Sequence, residues 1–210
     1  ADLIADGGRV PRGPAVRVLD VGTGASCIYP LLGACEYGWR FVGSEVDPDS
    51  VRWATKLVAA HPDVAELIEV RQQPSAAHCF DGAAGPGERF ELSLCNPPFY
   101  ASAHEAARGN RRKRRNLGSP GARGEARNFG GTAGELWCAG GELGFVKRMI
   151  RQSAARPQLC RWFTTLVARG AHLPALRRAL DATRATDVRV LELSHGAKRS
   201  RLLAWSFGDA

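Results

Sequence analysis

Cys95-Asn96-Pro97-Pro98-Phe99 is the stretch of this 210-residue chain whose residue types and spacing point most directly to chemistry. Two consecutive prolines fix φ at both positions and remove two backbone donors. Asn96, ahead of them, is pushed out of the helical region. The stiff turn that results presents a carboxamide, the Pro97 carbonyl and the Phe99 ring together. An amino group on a planar ring suits that set. The Asn96 oxygen and the Pro97 carbonyl each accept one of its hydrogens, and Phe99 stacks on the ring, a contact worth roughly 1–3 kcal/mol per base. Asn-Pro also opens ordinary turns, so the motif acquires meaning only from the elements that place it.

A second constellation, Asp20-Val21-Gly22-Thr23-Gly24, ends the apolar run from Ala15. A dinucleotide site wants Gly-x-Gly-x-x-Gly, its last glycine letting a helix receive the pyrophosphate. Cys27 stands at that place, so the fingerprint is broken. S-adenosylmethionine carries no phosphate and needs only close backbone approach at the first turn, which favours it here. Glu45, closing a second apolar run, is placed to take both ribose hydroxyls.

The elements that must position these groups read as alternating strands and helices. Strands are expected over Ala15–Val21, Arg40–Val46, Leu67–Val70, Phe90–Leu94, Cys160–Val167, Val188–Leu193 and Leu202–Phe207. Helices are expected after Ile28, from Pro48 with Asp47 as N-cap until His61-Pro62 stops it, from Gly141, and over Leu173–Thr183. Alternation of this kind predicts a parallel, doubly wound α/β sheet. The last two strands, joined by Ser194-His195-Gly196, form an antiparallel edge hairpin. Residues 1–14 read as an N-terminal remnant or linker, 15–210 as the domain, and 100–134 as a long loop. In such sheets ligands bind at the carboxyl ends of the strands. The glycine loop, Glu45 and the Asn96 turn all fall there.

Charge and cysteines narrow the partners. Between Arg108 and Arg127 eight basic residues face one acid, Glu125, a balance of +7 within a chain of net +8; the remainder is nearly neutral. A concentrated basic segment argues for a polyanionic partner. Six scattered cysteines without metal-ligand spacing read as buried hydrophobes in a reducing compartment, so a cytoplasmic protein with no metal is expected. No apolar run is long enough to span a bilayer.

The run Leu19 to Leu31, together with Cys95-Asn96-Pro97-Pro98-Phe99, Asn128-Phe129-Gly130-Gly131 and Gly140 to Arg148, resembles the bacterial large-subunit ribosomal RNA adenine-N6 methyltransferase F family. That family is related to the eukaryotic enzyme that modifies U6 small nuclear RNA. Arg111-Arg112-Lys113-Arg114-Arg115-Asn116-Leu117-Gly118 and Glu135-Leu136-Trp137-Cys138 are similar to its bacterial branch. The resemblance runs from about Val16 to Phe207. It implies a Rossmann-like S-adenosylmethionine-dependent methyltransferase fold, with a mostly parallel seven-stranded sheet and an antiparallel edge hairpin. It implies N6-methylation of one adenine in 23S rRNA, the base accessible or flipped out. Asp20, Gly22, Thr23, Gly24, Ser26, Glu45, Gln73 and Asn96 would hold the cofactor, with Gln73 in the loop beside its adenine. Asn96, Pro97, Pro98 and Phe99 would engage the target base, and Arg111, Arg112, Lys113, Arg114 and Arg115 would bind RNA.

The turn alone leaves protein glutamine-N5 methylation and DNA adenine-N6 methylation open, and the fold alone leaves a non-catalytic RNA-binding module. The basic loop and Phe99 lean toward nucleic acid. Asp2-Leu3-Ile4-Ala5 reads as the end of an amphipathic helix. The family also carries an upstream segment, so residues 1–210 are expected to fold yet to bind cofactor and RNA weakly until that segment is added.

Overall fold

The computed structural model describes residues 1–98, 100, 102, 138–195 and 198–208. The apolar runs become strands: β1 (Arg17–Val21), β2 (Arg40–Glu45), β3 (Ile68–Gln72), β4 (Phe90–Cys95), β5 (Cys160–Val167), β6 (Asp187–His195) and β7 (Lys198–Ser206). They form one seven-stranded sheet in the order β3-β2-β1-β4-β5-β7-β6. The β1–β5 ladders are parallel, whereas β7 runs antiparallel to both β5 and β6. The central strands β1, β2 and β4 are almost continuously buried, as expected when helices cover both faces of a parallel sheet.

Helices α1 (Ile28–Tyr37), α2 (Pro48–Ala59) and α3 (Pro62–Ala65) cover one face, where Val18, Phe41, Leu92, Ala34, Val58 and Trp162 share a core. Helices α4 (Gly141–Ala155) and α5 (Leu173–Asp181) cover the other, packing Val146, Met149, Leu176 and Leu180 against Val21, Phe163 and Trp205. Close approach of α1 to β2 depends on Gly33, where an added Cβ would stand 2.3 Å from the Phe41 ring. Asp47 caps α2 as expected, its Oδ2 accepting from Ser50 N at 3.1 Å and Ser50 Oγ at 2.7 Å.

The structure departs from the sequence reading at several ends. Pro62 does not merely stop α2. It opens α3, where a proline at the first turn forfeits no helical donor. Helix α5 ends at Asp181, and the Thr183 amide and hydroxyl then both bond Leu180 O, at 2.8 and 2.7 Å. Ser194 and His195, expected in the connection, belong to β6, where they pair with Arg199 and Lys198; Gly196 lies outside the described residues. Residues 1–14, read as a remnant or linker, lie against the domain. Ile4 is buried in the α1–α3 core, Trp39 Nε1 donates to Pro11 O at 2.7 Å, and Gly13 N donates to Tyr37 O at 2.8 Å. The expected helix end is a single 3-10 turn, Asp2–Ile4. Among the described residues no helix is long and apolar enough to cross a membrane.

Candidate active site

Strands β2, β1 and β4 are neighbours with Val21 in register with both Ser44 and Cys95, so the segments that follow them emerge side by side. The glycine loop turns sharply off β1. Gly22 N and Thr23 N both donate to Ser44 O, at 2.9 and 3.0 Å. Gly22 and Gly24 sit at φ +74° and +63°, a region that favours glycine. An added Cβ at Gly22 would meet nothing within 4 Å, so its face of the loop opens to solvent. Thr23 is buried over Gly43, where a Cβ would lie 3.0 Å from the Thr23 hydroxyl. Ser26 is exposed beyond it. Cys27, buried at φ 47°, is the one non-glycine residue with positive φ among those described, and it starts α1. Backbone held in that region costs of order 1–3 kcal/mol and concentrates at functional loops.

Two acids lie beneath this loop. Glu45 is buried, and its carboxylate accepts from Gly24 N at 3.0 Å, Val46 N at 2.7 Å and Asp47 N at 2.9 Å. It therefore ties the loop after β1 to the loop after β2. Asp20 is 1% exposed, and neither carboxyl oxygen meets a hydrogen-bond partner. The neighbouring Thr23 hydroxyl is directed at Cys27 Sγ, 3.6 Å away. Burial pushes the Asp20 carboxyl up to about 7, the Thr23 hydroxyl opposing and the Glu45 charge adding to the rise.

At the end of β4, Asn96 is exposed, Pro97 buried and Pro98 half-buried, so the turn offers its carboxamide while its prolines anchor it. Phe99 lies outside the described residues, as do Arg111, Arg112, Lys113, Arg114, Arg115 and most of the expected 100–134 loop. The chain leaves this turn at Tyr100 and comes back to it at Cys138, whose N donates to Tyr100 O at 3.0 Å. Tyr29 is a neighbour that sequence reasoning did not single out. It is half-buried in the first turn of α1, and burial, with Asp20 and Cys95 adding, pushes its phenol up. Its only sequence signal is its place in the run after the glycine loop.

Gln73 is brought to the same edge, its N donating to Glu45 O at 2.7 Å. Its carboxamide, however, is committed to its own loop, with Nε2 donating to Asp81 O at 3.0 Å and Oε1 accepting from Ser75 N at 3.3 Å. Farther along, Glu88 fastens the loop before β4 to Arg71 at 2.6 Å, Arg17 at 2.7 Å and Gly85 N at 2.7 Å. These partners, Arg71 foremost, hold its carboxyl down at about 2.

A third buried acid was missed from sequence. Glu142, in the first turn of α4, accepts from Ala168 N at 2.9 Å, Arg169 N at 3.3 Å and His172 Nδ1 at 2.7 Å. It fixes the segment after β5 against the start of α4, on the far side of the Asn96 turn. Glu142 lies in the Gly140–Arg148 motif, but its partners are 26 to 30 residues away, so no local pattern announces the clamp.

A family model described as RNA methyltransferase matches residues 1–209. The chain belongs to that family. Ribosomal RNA large subunit methyltransferase F of Aeromonas salmonicida (strain A449) is 51% identical over 210 residues, covering 100% of this chain and 65% of that protein. The protein of the same description from Pseudomonas paraeruginosa (strain DSM 24068 / PA7) is 49% identical over 213 residues, covering 100% of this chain and 64% of its own length. The chain thus spans just under two thirds of these relatives. The crystal structure of the hMettl16 catalytic domain in complex with MAT2A 3'UTR hairpin 1 superposes with a TM-score of 0.75 at 34% identity, over 92% of this chain and 64% of that one. The N-terminal domain of human METTL16 in complex with SAH gives 0.69 at 29% identity, over 99% and 65%. The fold of this chain, a seven-stranded, mostly parallel sheet with an antiparallel edge hairpin, is that of these methyltransferase domains.

Proposed function

We propose that this chain is the catalytic part of an enzyme that methylates N6 of one adenine in 23S rRNA with S-adenosylmethionine. The observation that carries the reading is Asp20: a fully buried carboxyl with both oxygens unsatisfied, beneath a glycine loop that opens to solvent. Leaving such a group without a partner is costly. A cationic donor such as the methionine ammonium fits it. Gly22, Thr23, Gly24 and Ser26 would line that end of the cofactor. Glu45 would stand by its ribose, and Gln73 would shape the wall near its adenine through the loop it braces. When bound, S-adenosylmethionine supplies a methyl on a sulfonium.

The chain's own residues act on the other reactant. Asn96 and the Pro97 carbonyl accept the two hydrogens of the adenine amine, which draws its lone pair out of conjugation with the ring. As the amine takes the methyl, the sulfonium would leave as a neutral thioether and one amine hydrogen would pass as a proton to water, so no charged base is required. Positioning of two bound reactants supplies on the order of 7–11 kcal/mol of barrier lowering. The adenine must be unstacked to reach the turn, so it lies in a loop or bulge or is flipped, and Phe99 would stack on it. Arg111 to Arg115 belong to the segment that departs and returns at the Tyr100–Cys138 bond, which suits contact with phosphates around the extruded base. A cytoplasmic location accords with such a substrate.

Labelled S-adenosylmethionine incubated with the full-length protein and, in separate reactions, with isolated ribosomal RNAs, DNA and ribosomal protein tests the reading. Label on a single adenine N6 of 23S rRNA is expected. Label only on DNA or on protein glutamine would overturn it.

A further inference from the structure

The near-neutral remainder of the chain resolves into two regions of opposite sign. Residues 28–66, which build α1 to α3 and β2, hold three basic residues against six acids, a balance of −3. Residues 141–184, which build α4, β5 and α5, hold nine basic residues against two acids, Glu142 and Asp181, a balance of +7. Eight of those nine are arginine, and Glu142 is buried in its clamp.

Arg156 and Arg161 are taken up by Asp81 and Glu91, at 3.2 and 3.5 Å, but four cations of the two helices are displayed. On α4, Lys147 and Arg151 stand one turn apart at exposed positions; on α5, Arg177 and Arg178 are exposed while Leu176 and Leu180 enter the core. The two helices pack together on one face of the sheet. Among the described residues none of these four is in an ion pair, whereas Arg52 on the opposite face pairs with Asp49 at 2.7 Å. Like charges held together on one surface repel and destabilise the compact state, so their concentration argues for an anionic partner. Arginine further matches phosphate with two parallel donors.

Position relates this face to the reaction. Both helices start at the carboxyl edge, where Glu142 joins the first turn of α4 to Ala168, Arg169 and His172 just before α5. At about 1.5 Å per residue, Lys147 and Arg177 lie roughly 9 and 6 Å along their helices from that edge. We propose that the α4–α5 face is a second RNA-binding surface, gripping backbone phosphates of a folded stem beside the target adenine. The proposal rests on the reading of the chain as an RNA methyltransferase. Phosphate contacts of this kind set register and orientation and carry no sequence information.

The test compares the full chain carrying Lys147→Ser, Arg151→Ser, Arg177→Ser and Arg178→Ser with a control carrying Arg40→Ser, Arg52→Ser and Lys56→Ser. Binding of a structured rRNA fragment and of a short single-stranded target is measured against salt. Log affinity falls with log salt by roughly 0.7–0.9 per neutralised phosphate. The four-serine variant is expected to lose at least about tenfold in affinity for the structured fragment, with a slope shallower by about 1.5 or more. Its affinity for the short target and its unfolding midpoint stay at wild-type values, and the control behaves as wild type throughout. Unchanged affinity and slope for the structured fragment overturn the proposal, as does an equal loss in the control. Loss of binding to anionic vesicles without loss of RNA binding assigns the face to a membrane surface and overturns it too. RNA binding that depends on these four residues, in a protein that methylates no rRNA, would uphold the surface and remove the methylation reading.

Discussion

Glu45 and Glu142 are both buried carboxylates that fasten a loop at the carboxyl edge of the sheet, one on the β1–β2 side of the Asn96 turn and the other on the α4–β5 side. Their partners differ. Glu45 takes three backbone N–H groups from the loops around the proposed cofactor pocket, beside an acid that lacks a partner. Glu142 takes two backbone N–H groups and an imidazole, and beyond it lies the basic α4–α5 face. The same chemical device thus braces the loops of the proposed cofactor pocket on one side and locks two structural elements together on the other. A buried charge does not by itself announce a ligand; the unsatisfied group next to it does.

Substitutions should separate the two sides. The largest effect is expected between them. Asn96→Ala should abolish methyl transfer with little loss of cofactor affinity, and turnover above about a tenth of wild type, roughly 1.4 kcal/mol, would remove Asn96 from the chemistry. Next comes the contrast of the clamps. Glu142→Ala strands Ala168 N, Arg169 N and His172 and should cost about 3–5 kcal/mol of stability in urea titrations, with the affinity of the refolded protein for S-adenosylmethionine unchanged. Glu45→Ala should lower both stability and that affinity. Equal behaviour of the two variants in calorimetry would erase the distinction drawn here.

The third effect is a pH dependence on the β1 side. Asp20, ordinarily near 3.8, holds its proton up to about 7 in the ligand-free fold. The unfolded chain loses that proton first, so ligand-free stability falls as pH rises from about 4 to about 7, by up to about 4 kcal/mol. Asp20→Asn should flatten this part of the stability profile and weaken cofactor binding. Wild-type affinity for S-adenosylmethionine should in turn fall as the pH drops below about 7, because an ammonium favours the ionised carboxylate. A stability profile identical in wild type and Asp20→Asn would show that the carboxyl is not held neutral.

The smallest effect lies in the packing beneath the cofactor side. Gly33→Ala drives a methyl into the Phe41 ring and should cost about 1–3 kcal/mol, read as a lowered unfolding midpoint. Glu142 and its surroundings are distant from that contact, so Gly33→Ala and Glu142→Ala should add in the double variant.

Much of this was legible in the sequence because the signals were local. Strands β1, β2 and β4 announce themselves as apolar runs, Asp47-Pro48 as a helix start, and Asn96-Pro97-Pro98 as a stiff turn. The convergence of Gly22–Ser26, Glu45 and Asn96 follows once a parallel sheet is assumed. What escaped was non-local. Glu142 finds its partners only after β5 has crossed the sheet. Ile4 counts as part of a tail until α1 and β2 provide a core for it. Gly33, five residues past the start of α1, lets that helix approach Phe41 of β2, at a place where no fingerprint looks for a glycine. The basic α4–α5 face was overlooked for an arithmetic reason: its charge is cancelled, in the sum, by acids elsewhere in the fold.

The position of β7 bears on how such a molecule can be made. Strand β6 is synthesised first yet touches the sheet only through β7, which lies between it and β5. While β7 is still being added, β6 has no neighbour to bond, and β5 exposes an edge that carries Phe163 and Thr165. The two strands therefore enter as a unit. A stop codon at Arg201 would cost the sheet not one strand but two, together with the Trp205 ring and its bond to Ser153.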